Sequence, residues 1–157
     1  MTAKTNACRI LDRLEIAYEL RLYRPDAEDL SAERLSSELA MPQEQIFKTL
    51  LVRGDRTGLI FAVIPAARQL DLKALARASS NRKVALVPLK EVRPLTGYAR
   101  GSVTALAGKR DYPVIVDAAC TALEHMGVSA GALGEEMVLS PADYLRATNG
   151  KAAPITE

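Results

Sequence analysis

A single lysine interrupts an otherwise apolar run at residues 46–52 (IFKTLLV). The run is rich in strand-forming residues, and the side chains of a strand alternate between its two faces. Lys48 and Thr49 then lie on opposite faces, and Lys48 shares its face with apolar residues only: Ile46, Leu50 and Val52. In one interpretation the lysine stem packs on these neighbours while its ammonium reaches water. In the other, the lysine points into a pocket, where its charge holds a phosphate or a developing oxyanion. The pattern alone favours the first.

A glycine-containing segment at residues 129–134 (SAGALG) offers a second candidate site. Turns of this kind can direct several backbone N–H groups at one anion or carbonyl oxygen. An ordinary loop between strands has the same composition, and the pattern alone favours that simpler interpretation.

A third candidate lies at residues 97–101 (GYARG). Arg100 can contact a phosphate, and the ring of Tyr98 can stack on a base. Gly101 allows the backbone to approach a neighbouring group closely. A solvated turn explains the same residues and is favoured by the pattern.

Asp117 follows an apolar run at residues 114–116, where a strand end can present a functional carboxylate. It can equally cap the segment that follows, and the pattern favours the cap. The chain has one histidine, His125, and two widely separated cysteines, Cys8 and Cys120. We therefore expect no zinc-type metal site, no Ser-His-Asp triad and no cofactor.

The elements that must position these residues alternate between helix and strand. Helices are predicted from Ala7 to Leu14 and over residues 31–39, 70–78 and 140–149, with Ser31 and Ser140 as N-caps. Strands are predicted over residues 18–23, 46–52, 59–64, 84–87, 114–117 and 137–139, and the second and third of these form a hairpin. A helical turn is expected at residues 88–93, and the tail after Lys151 is expected to fray. Hairpins and helical connections together predict one α/β domain, residues 1–157, with a mixed sheet.

The net charge of +2, from 21 basic and 19 acidic side chains, is too balanced for a typical duplex-DNA-binding protein. The N-terminal residues lack the apolar stretch of a secretory signal, and no run is long enough for a membrane span. These features predict a cytoplasmic protein with reduced cysteines, no membrane association and no specific DNA partner.

The candidate residues fall within sequence blocks that resemble the YbaK family of aminoacyl-tRNA deacylases. The blocks follow one another from about Tyr23 to about Leu145, and their joint order is specific. They are residues 47–50 (FKTL), 62–65 (AVIP), 69–73 (QLDLK), 96–98 with Gly101, 116–118 (VDA), and Ser129 with Gly131 and Gly134.

The resemblance implies a free-standing relative of the editing domain of prolyl-tRNA synthetase, with a barrel-like mixed sheet flanked by helices. Such domains remove a wrongly attached small amino acid, Cys or Ala, from the 3′ end of tRNA, mainly tRNA-Pro. The implied partners are misacylated tRNA and a prolyl- or cysteinyl-tRNA synthetase. In Cys-directed members the substrate's own thiol attacks its carbonyl and forms a thiolactone, so that no enzyme nucleophile is required.

The resemblance also implies roles for individual residues. Lys48 would contact the terminal adenosine or its phosphate, with Thr49 in support. Backbone N–H groups at Gly101, Ser129 and Gly131 would face the carbonyl oxygen. The residues implied to bind or line the substrate site are Tyr23, Tyr98, Asp117, Gly134 and Glu136, the last at a position where relatives often have Asp.

The loop at residues 129–134 departs from the family pattern, which often has Ser-Gly-Gly, a basic pair and Gly. Here Ala130 replaces a glycine, and Ala132 and Leu133 replace the basic pair. A non-catalytic module that binds a nucleotide or aminoacyl-adenosine is therefore an alternative to the enzyme. A DNA-binding regulator is disfavoured by the charge balance and by the absence of a helix-turn-helix pattern.

Overall fold

The computed structural model describes residues 3–157, which alternate between helices and strands. The helices are α1 (Asn6–Arg13), α2 (Ala32–Leu39), α3 (Leu72–Ala78), α4 (Leu89–Thr96) and α5 (Pro141–Thr148), with 3₁₀ turns at Gln43–Gln45 and Ala118–Ala122. The strands are β1 (Glu19–Leu22), β2 (Phe47–Gly54), β3 (Gly58–Pro65), β4 (Val84–Leu86), β5 (Val114–Asp117), β6 (Met126–Ser129), β7 (Glu135–Leu139) and β8 (Lys151–Ala153).

The strands form two sheets. The larger has the order β4-β2-β3-β5-β8, antiparallel from β4 to β3 and parallel from β3 to β8. The smaller is antiparallel, with the order β1-β7-β6. A parallel bridge between Ile46 and Gly127 joins them at the start of β2. The mixed α/β architecture is therefore confirmed, and the two sheets meet at this bridge without either closing on itself.

Local sequence signals account for most of the element boundaries. The Ser31 hydroxyl accepts a hydrogen bond from the Arg34 N–H at 3.3 Å, and the Ser140 hydroxyl accepts one from the Asp143 N–H at 3.2 Å. Both predicted N-caps are confirmed. The helical turn expected at residues 88–93 continues as α4 to Thr96, and Gly97 ends it with a φ of 85°.

Apolar residues fill both faces of the larger sheet. Phe47 and Leu51 of β2 belong to the main core, which packs against α1, α5 and the smaller sheet. Val52 belongs to a second cluster on the opposite face, beneath α3. A third cluster lies between α2 and the smaller sheet. The alternation predicted for β2 is confirmed by this division.

The prediction of a frayed tail after Lys151 is wrong. Residues Lys151–Ala153 form β8, which pairs in parallel with β5. Ile155 is fully buried in the second cluster, and its backbone N–H donates to Asp117 Oδ1 at 2.9 Å. Burial of one isoleucine and pairing of the backbone outweigh the entropy that a free tail would retain.

Within the described range, residues 3–157, no helix is both long and apolar enough to cross a bilayer.

Candidate active site

A cavity of about 510 Å³ opens beside β2, between α2, the segment around Arg100 and the strands β6 and β7. Its volume lies in the range of small-ligand sites. The lining combines apolar side chains with a few polar groups from distant parts of the chain. The polar and glycine members are Tyr23, Ser31, Lys48, Thr49, Arg100, Gly101, Ser129 and Glu136.

The cavity exists because one edge of β2 is left uncovered. Along its other edge β2 pairs with β3 over its whole length. On the open edge, β4 pairs only with Val52–Gly54, and the bridge to the smaller sheet lies at Ile46. The Leu51 carbonyl accepts from the Val87 N–H at 3.0 Å on this side. In an antiparallel strand every second residue directs its N–H and C=O to the same edge, so those of Thr49 face the gap.

Lys48 is placed in the wall of this gap. Its side chain is half buried, and burial lowers the pKa of its ammonium. Across residues 3–157, no carboxylate lies within ion-pair distance of Lys48 Nζ, and no hydrogen bond to it is formed. A partly desolvated cation without a counter-ion is stabilised by an arriving anion, so this lysine suits a phosphate or a developing oxyanion.

Tyr23 and Glu136 line the side of the cavity formed by the smaller sheet. Tyr23 is buried, and the Arg34 guanidinium lies 5.8 Å from the centroid of its ring. Burial raises the pKa of the Tyr23 hydroxyl. Glu136 is 4% exposed, and burial raises the pKa of its carboxyl to about 8. Two buried ionisable groups beside a cavity are typical of a functional site.

Gly101 and Ser129 also line the cavity. Gly101 has a φ of +86°, and a Cβ built on it would lie 2.7 Å from Leu133 Cδ1 and 3.2 Å from Leu30 Cδ1. The positive φ favours glycine here, and a larger residue would also have to displace the ends of the two leucine side chains. The Ser129 hydroxyl accepts a hydrogen bond from the Gly131 N–H at 3.1 Å.

Three of the residues implied by the resemblance do not line this cavity. The ring of Tyr98 packs on Gly131, and both line a second cavity of about 460 Å³. The Tyr98 hydroxyl donates to the Leu106 carbonyl at 2.6 Å, so it is engaged within the fold. The Gly134 carbonyl accepts from the Tyr23 N–H at 2.9 Å and thereby positions the start of the cavity wall. The structure thus gives Tyr98, Gly131 and Gly134 supporting positions, and they do not line the first cavity.

Asp117 lies away from the cavity, and its carboxylate is occupied. Oδ2 accepts from the Ala119 N–H at 3.1 Å, and Oδ1 accepts from the Ile155 N–H and, at 3.2 Å, from the Thr156 hydroxyl. Asp117 thus caps the 3₁₀ turn that follows it, as the sequence pattern favoured. We therefore do not retain Asp117 as a substrate-binding residue, because no oxygen is directed at the cavity.

Two exposed leucines at the mouth were not anticipated from the sequence. Leu86 is 53% exposed and Leu89 is 60% exposed, and both line the cavity. The apolar run at residues 84–89 (VALVPL) is the only signal that could have indicated them. Within residues 3–157, no group of three or more His, Cys, Asp or Glu residues is arranged to hold a metal ion.

The sequence also matches known proteins. A model of the aminoacyl-tRNA editing domain family matches residues 26–147, which include every polar residue of the cavity wall except Tyr23. The chain belongs to the aminoacyl-tRNA editing domain family. A protein of Enterococcus faecalis named "Putative Cys-tRNA(Pro)/Cys-tRNA(Cys) deacylase EbsC" is 37% identical over 153 residues, which are 98% of this chain and 93% of that protein.

Solved structures share the fold over nearly the whole chain. A structure titled as a hypothetical protein, APE2540, superposes with a TM-score of 0.85 at 22% identity, covering 95% of this chain and 97% of that one. A structure titled as a putative trans-editing enzyme for prolyl-tRNA synthetase superposes with a TM-score of 0.81 at 21% identity, covering 99% of both chains. The expected fold and the expected family of aminoacyl-tRNA deacylases are therefore confirmed.

Proposed function

We propose that this member of the editing family acts in trans on tRNA that carries a wrong small amino acid, Cys or Ala, and that the cavity beside β2 is its active site. The E. faecalis relative is named for Cys-tRNA-Pro and Cys-tRNA-Cys, which supports a cysteinyl ester as the first substrate to test. The cavity has room for an aminoacyl group together with part of the terminal nucleotide. A prolyl- or cysteinyl-tRNA synthetase is the proposed source of the charged tRNA.

The observation that supports this site most strongly is Lys48, half buried and without a counter-ion at an open strand edge. In the proposed complex its ammonium holds a phosphate or the ester oxygen at the 3′ end. The backbone of Thr49 turns toward the same gap and can fix the sugar or the ester by hydrogen bonds. Gly101 and Ser129 line the same cavity, and in the proposed complex their backbone N–H groups contact the carbonyl oxygen of the ester.

Two bond changes complete the reaction for a cysteinyl ester. The substrate thiol loses its proton and attacks the carbonyl carbon, and the C–O bond to the ribose breaks. The ribose hydroxyl takes up the proton, and the products are a thiolactone and free tRNA. An alanyl ester has no internal nucleophile, so water attacks the same carbonyl carbon instead. In either case the protein positions the ester and stabilises negative charge. No histidine or cysteine lines the cavity within the described part of the chain.

A deacylation panel tests the proposal. The substrates are Cys-, Ala- and Ser-tRNA-Pro and Cys-tRNA-Cys, with Lys48→Ala as the site variant. Lys73→Ala is the matched control, because Lys73 is exposed on α3 and lies outside the cavity. We expect kcat/KM to fall about 100-fold or more in Lys48→Ala, the size typical of a lost electrostatic group, and to be unchanged in the control. Full activity of Lys48→Ala would refute the assigned mechanism.

A second candidate function is a binding module without chemistry. It is favoured by the loop at residues 129–134, where Ala132 and Leu133 replace a basic pair and the Gly131 N–H is already bonded within the loop. This alternative predicts binding of a non-hydrolysable aminoacyl-adenosine analogue and no release of amino acid from any tRNA in the panel. Turnover of a single substrate excludes it.

A further inference from the structure

One carboxyl in the cavity wall has no partner. Glu136 lies on β7, the central strand of the smaller sheet, opposite Arg21 on β1 and Ser129 on β6. Its Oε2 is buried and accepts no hydrogen bond from any residue in the described range, 3–157. Because buried polar groups are nearly always hydrogen-bonded, an unpaired carboxyl oxygen in a ligand cavity indicates a partner that arrives with the ligand.

The residues packed around Glu136 supply no cation to its carboxyl. A Cβ built on Gly127 would lie 3.2 Å from Glu136 Oε2 and 3.3 Å from Met41 Cε, so glycine and methionine form the floor beneath the carboxyl. The Arg21 guanidinium is directed elsewhere, because it donates to Glu19 at 2.7 Å and to the Leu39 carbonyl at 2.8 Å.

Two other ionisable groups share this wall without pairing with the carboxyl. Burial is the main reason that the pKa of the Tyr23 hydroxyl is raised, and the charge of the nearby Glu136 raises it further. Burial alone accounts for the pKa of Glu136, with no opposing effect from Lys48. The carboxyl therefore lacks a positive neighbour that would stabilise its charged form in this buried position.

We propose that Glu136 recognises the α-amino group of the aminoacyl ester, and that it thereby selects aminoacyl over other acyl groups. This inference rests on the proposed function of the cavity. Lys48 would hold the nucleotide end of the substrate and Glu136 the amino end, so that the carbonyl carbon lies between them. Two anchors at opposite ends of a small ester fix its orientation better than one.

Every proton in this contact can be accounted for. A free α-amino group titrates at about 7.7–8.0, close to the pKa of the buried carboxyl. A neutral amine that enters the site accepts the proton of the carboxyl, giving an ammonium–carboxylate pair with no net uptake or release. An ammonium that enters instead displaces that proton to solvent. No other bond changes in either case.

Substrates whose acyl group lacks the amine distinguish recognition of the α-amino group by Glu136 from a purely structural role of Glu136. The substrates are the best aminoacyl-tRNA of the panel and the same tRNA charged with the corresponding α-hydroxy acid. The variants are Glu136→Gln, which keeps the shape of the side chain, and Glu136→Asp, which keeps the charge. Glu135→Gln is the matched control, because Glu135 is also buried on β7 and does not line the cavity.

We expect the wild-type protein to prefer the aminoacyl substrate by about 10- to 100-fold in kcat/KM, the size of a hydrogen bond to a charged group. Glu136→Gln should lose this preference by slowing the aminoacyl substrate alone, while Glu136→Asp retains part of it and Glu135→Gln retains all of it.

Equal losses on both substrates, or a preference that survives in Glu136→Gln, would overturn the inference. A wild-type protein that turns over both substrates equally contradicts only the role of Glu136. A wild-type protein that turns over neither contradicts the proposed function itself.

Discussion

Replacing Glu136 by Gln should stabilise the fold, and the gain should grow with pH. The folded protein keeps this carboxyl protonated up to a pKa of about 8, whereas the unfolded chain releases the proton near 4.5. Between these two values unfolding releases a proton, so rising pH favours the unfolded state of the wild-type protein. Stability conferred by the protonated acid is complete below pH 4.5 and is lost as the pH rises to about 8.

The size of the effect follows from the two pKa values. One pKa unit corresponds to about 1.4 kcal/mol, so the full difference amounts to about 5 kcal/mol as an upper bound. Gln carries no titrating proton. The free energy of unfolding of Glu136→Gln relative to wild type should therefore rise by about 2–3 kcal/mol between pH 5 and pH 7, and level off above pH 8.

Urea denaturation followed by circular dichroism at pH 5, 6, 7, 8 and 9 measures this difference. The chain has no tryptophan, so the far-ultraviolet signal is the more informative probe. The profile of Glu135→Gln, measured in parallel, controls for replacing a buried glutamate of the same strand by glutamine. A difference between Glu136→Gln and wild type that stays constant across the pH range would refute the claim that the carboxyl is buried as an acid.

Three further predictions concern residues whose contacts are equally specific. Asp117→Ala removes an acceptor of three hydrogen bonds, so it should lower the free energy of unfolding by about 2–4 kcal/mol and leave KM for tRNA unchanged. A raised KM at unchanged stability would instead show that Asp117 binds the substrate. Ile155→Ala leaves a cavity at a fully buried position, so it should lower the free energy of unfolding, measured by heat or urea, by about 2–5 kcal/mol. If the tail were frayed, the substitution would not change stability. Gly101→Ala places a Cβ against Leu133 at a positive φ, so it should lower the free energy of unfolding by about 1–3 kcal/mol and slow deacylation. Wild-type stability together with wild-type rates would contradict the described packing.

The local elements were predictable because each depends on residues close in sequence. The alternation of residues 46–52 and the turn near Gly58 predict the hairpin, and Ser31 and Ser140 mark two helix starts. Strand β7 was predicted from Met137 onward. It begins two residues earlier at Glu135, since pairing with β1 and β6 overrides the weak strand propensity of two adjacent glutamates.

The cavity and the tail were not predictable because they depend on long-range pairing. Whether residues 151–153 pair with β5 is decided by tertiary packing around Ile155, which no local pattern encodes. The gap beside Thr49 arises because β4 is short and the smaller sheet joins at Ile46, and neither fact is visible in the sequence of β2. The sequence indicated Lys48 as unusual, and only the gap explains where an anion can reach it.

The placement of Leu30 and Leu133 beside Gly101 couples two loops that are far apart in sequence. Leu30, in the loop before α2, and Leu133, in the loop after β6, both lie within 3.2 Å of the place that a Gly101 Cβ would occupy, so the two loops pack on the same stretch of backbone. A basic residue at Leu133 would leave Leu30 without its apolar neighbour, so we expect the two positions to vary together among relatives. An alignment of relatives should show Leu30 and Leu133 changing together, charge on one side accompanied by a polar or smaller residue on the other.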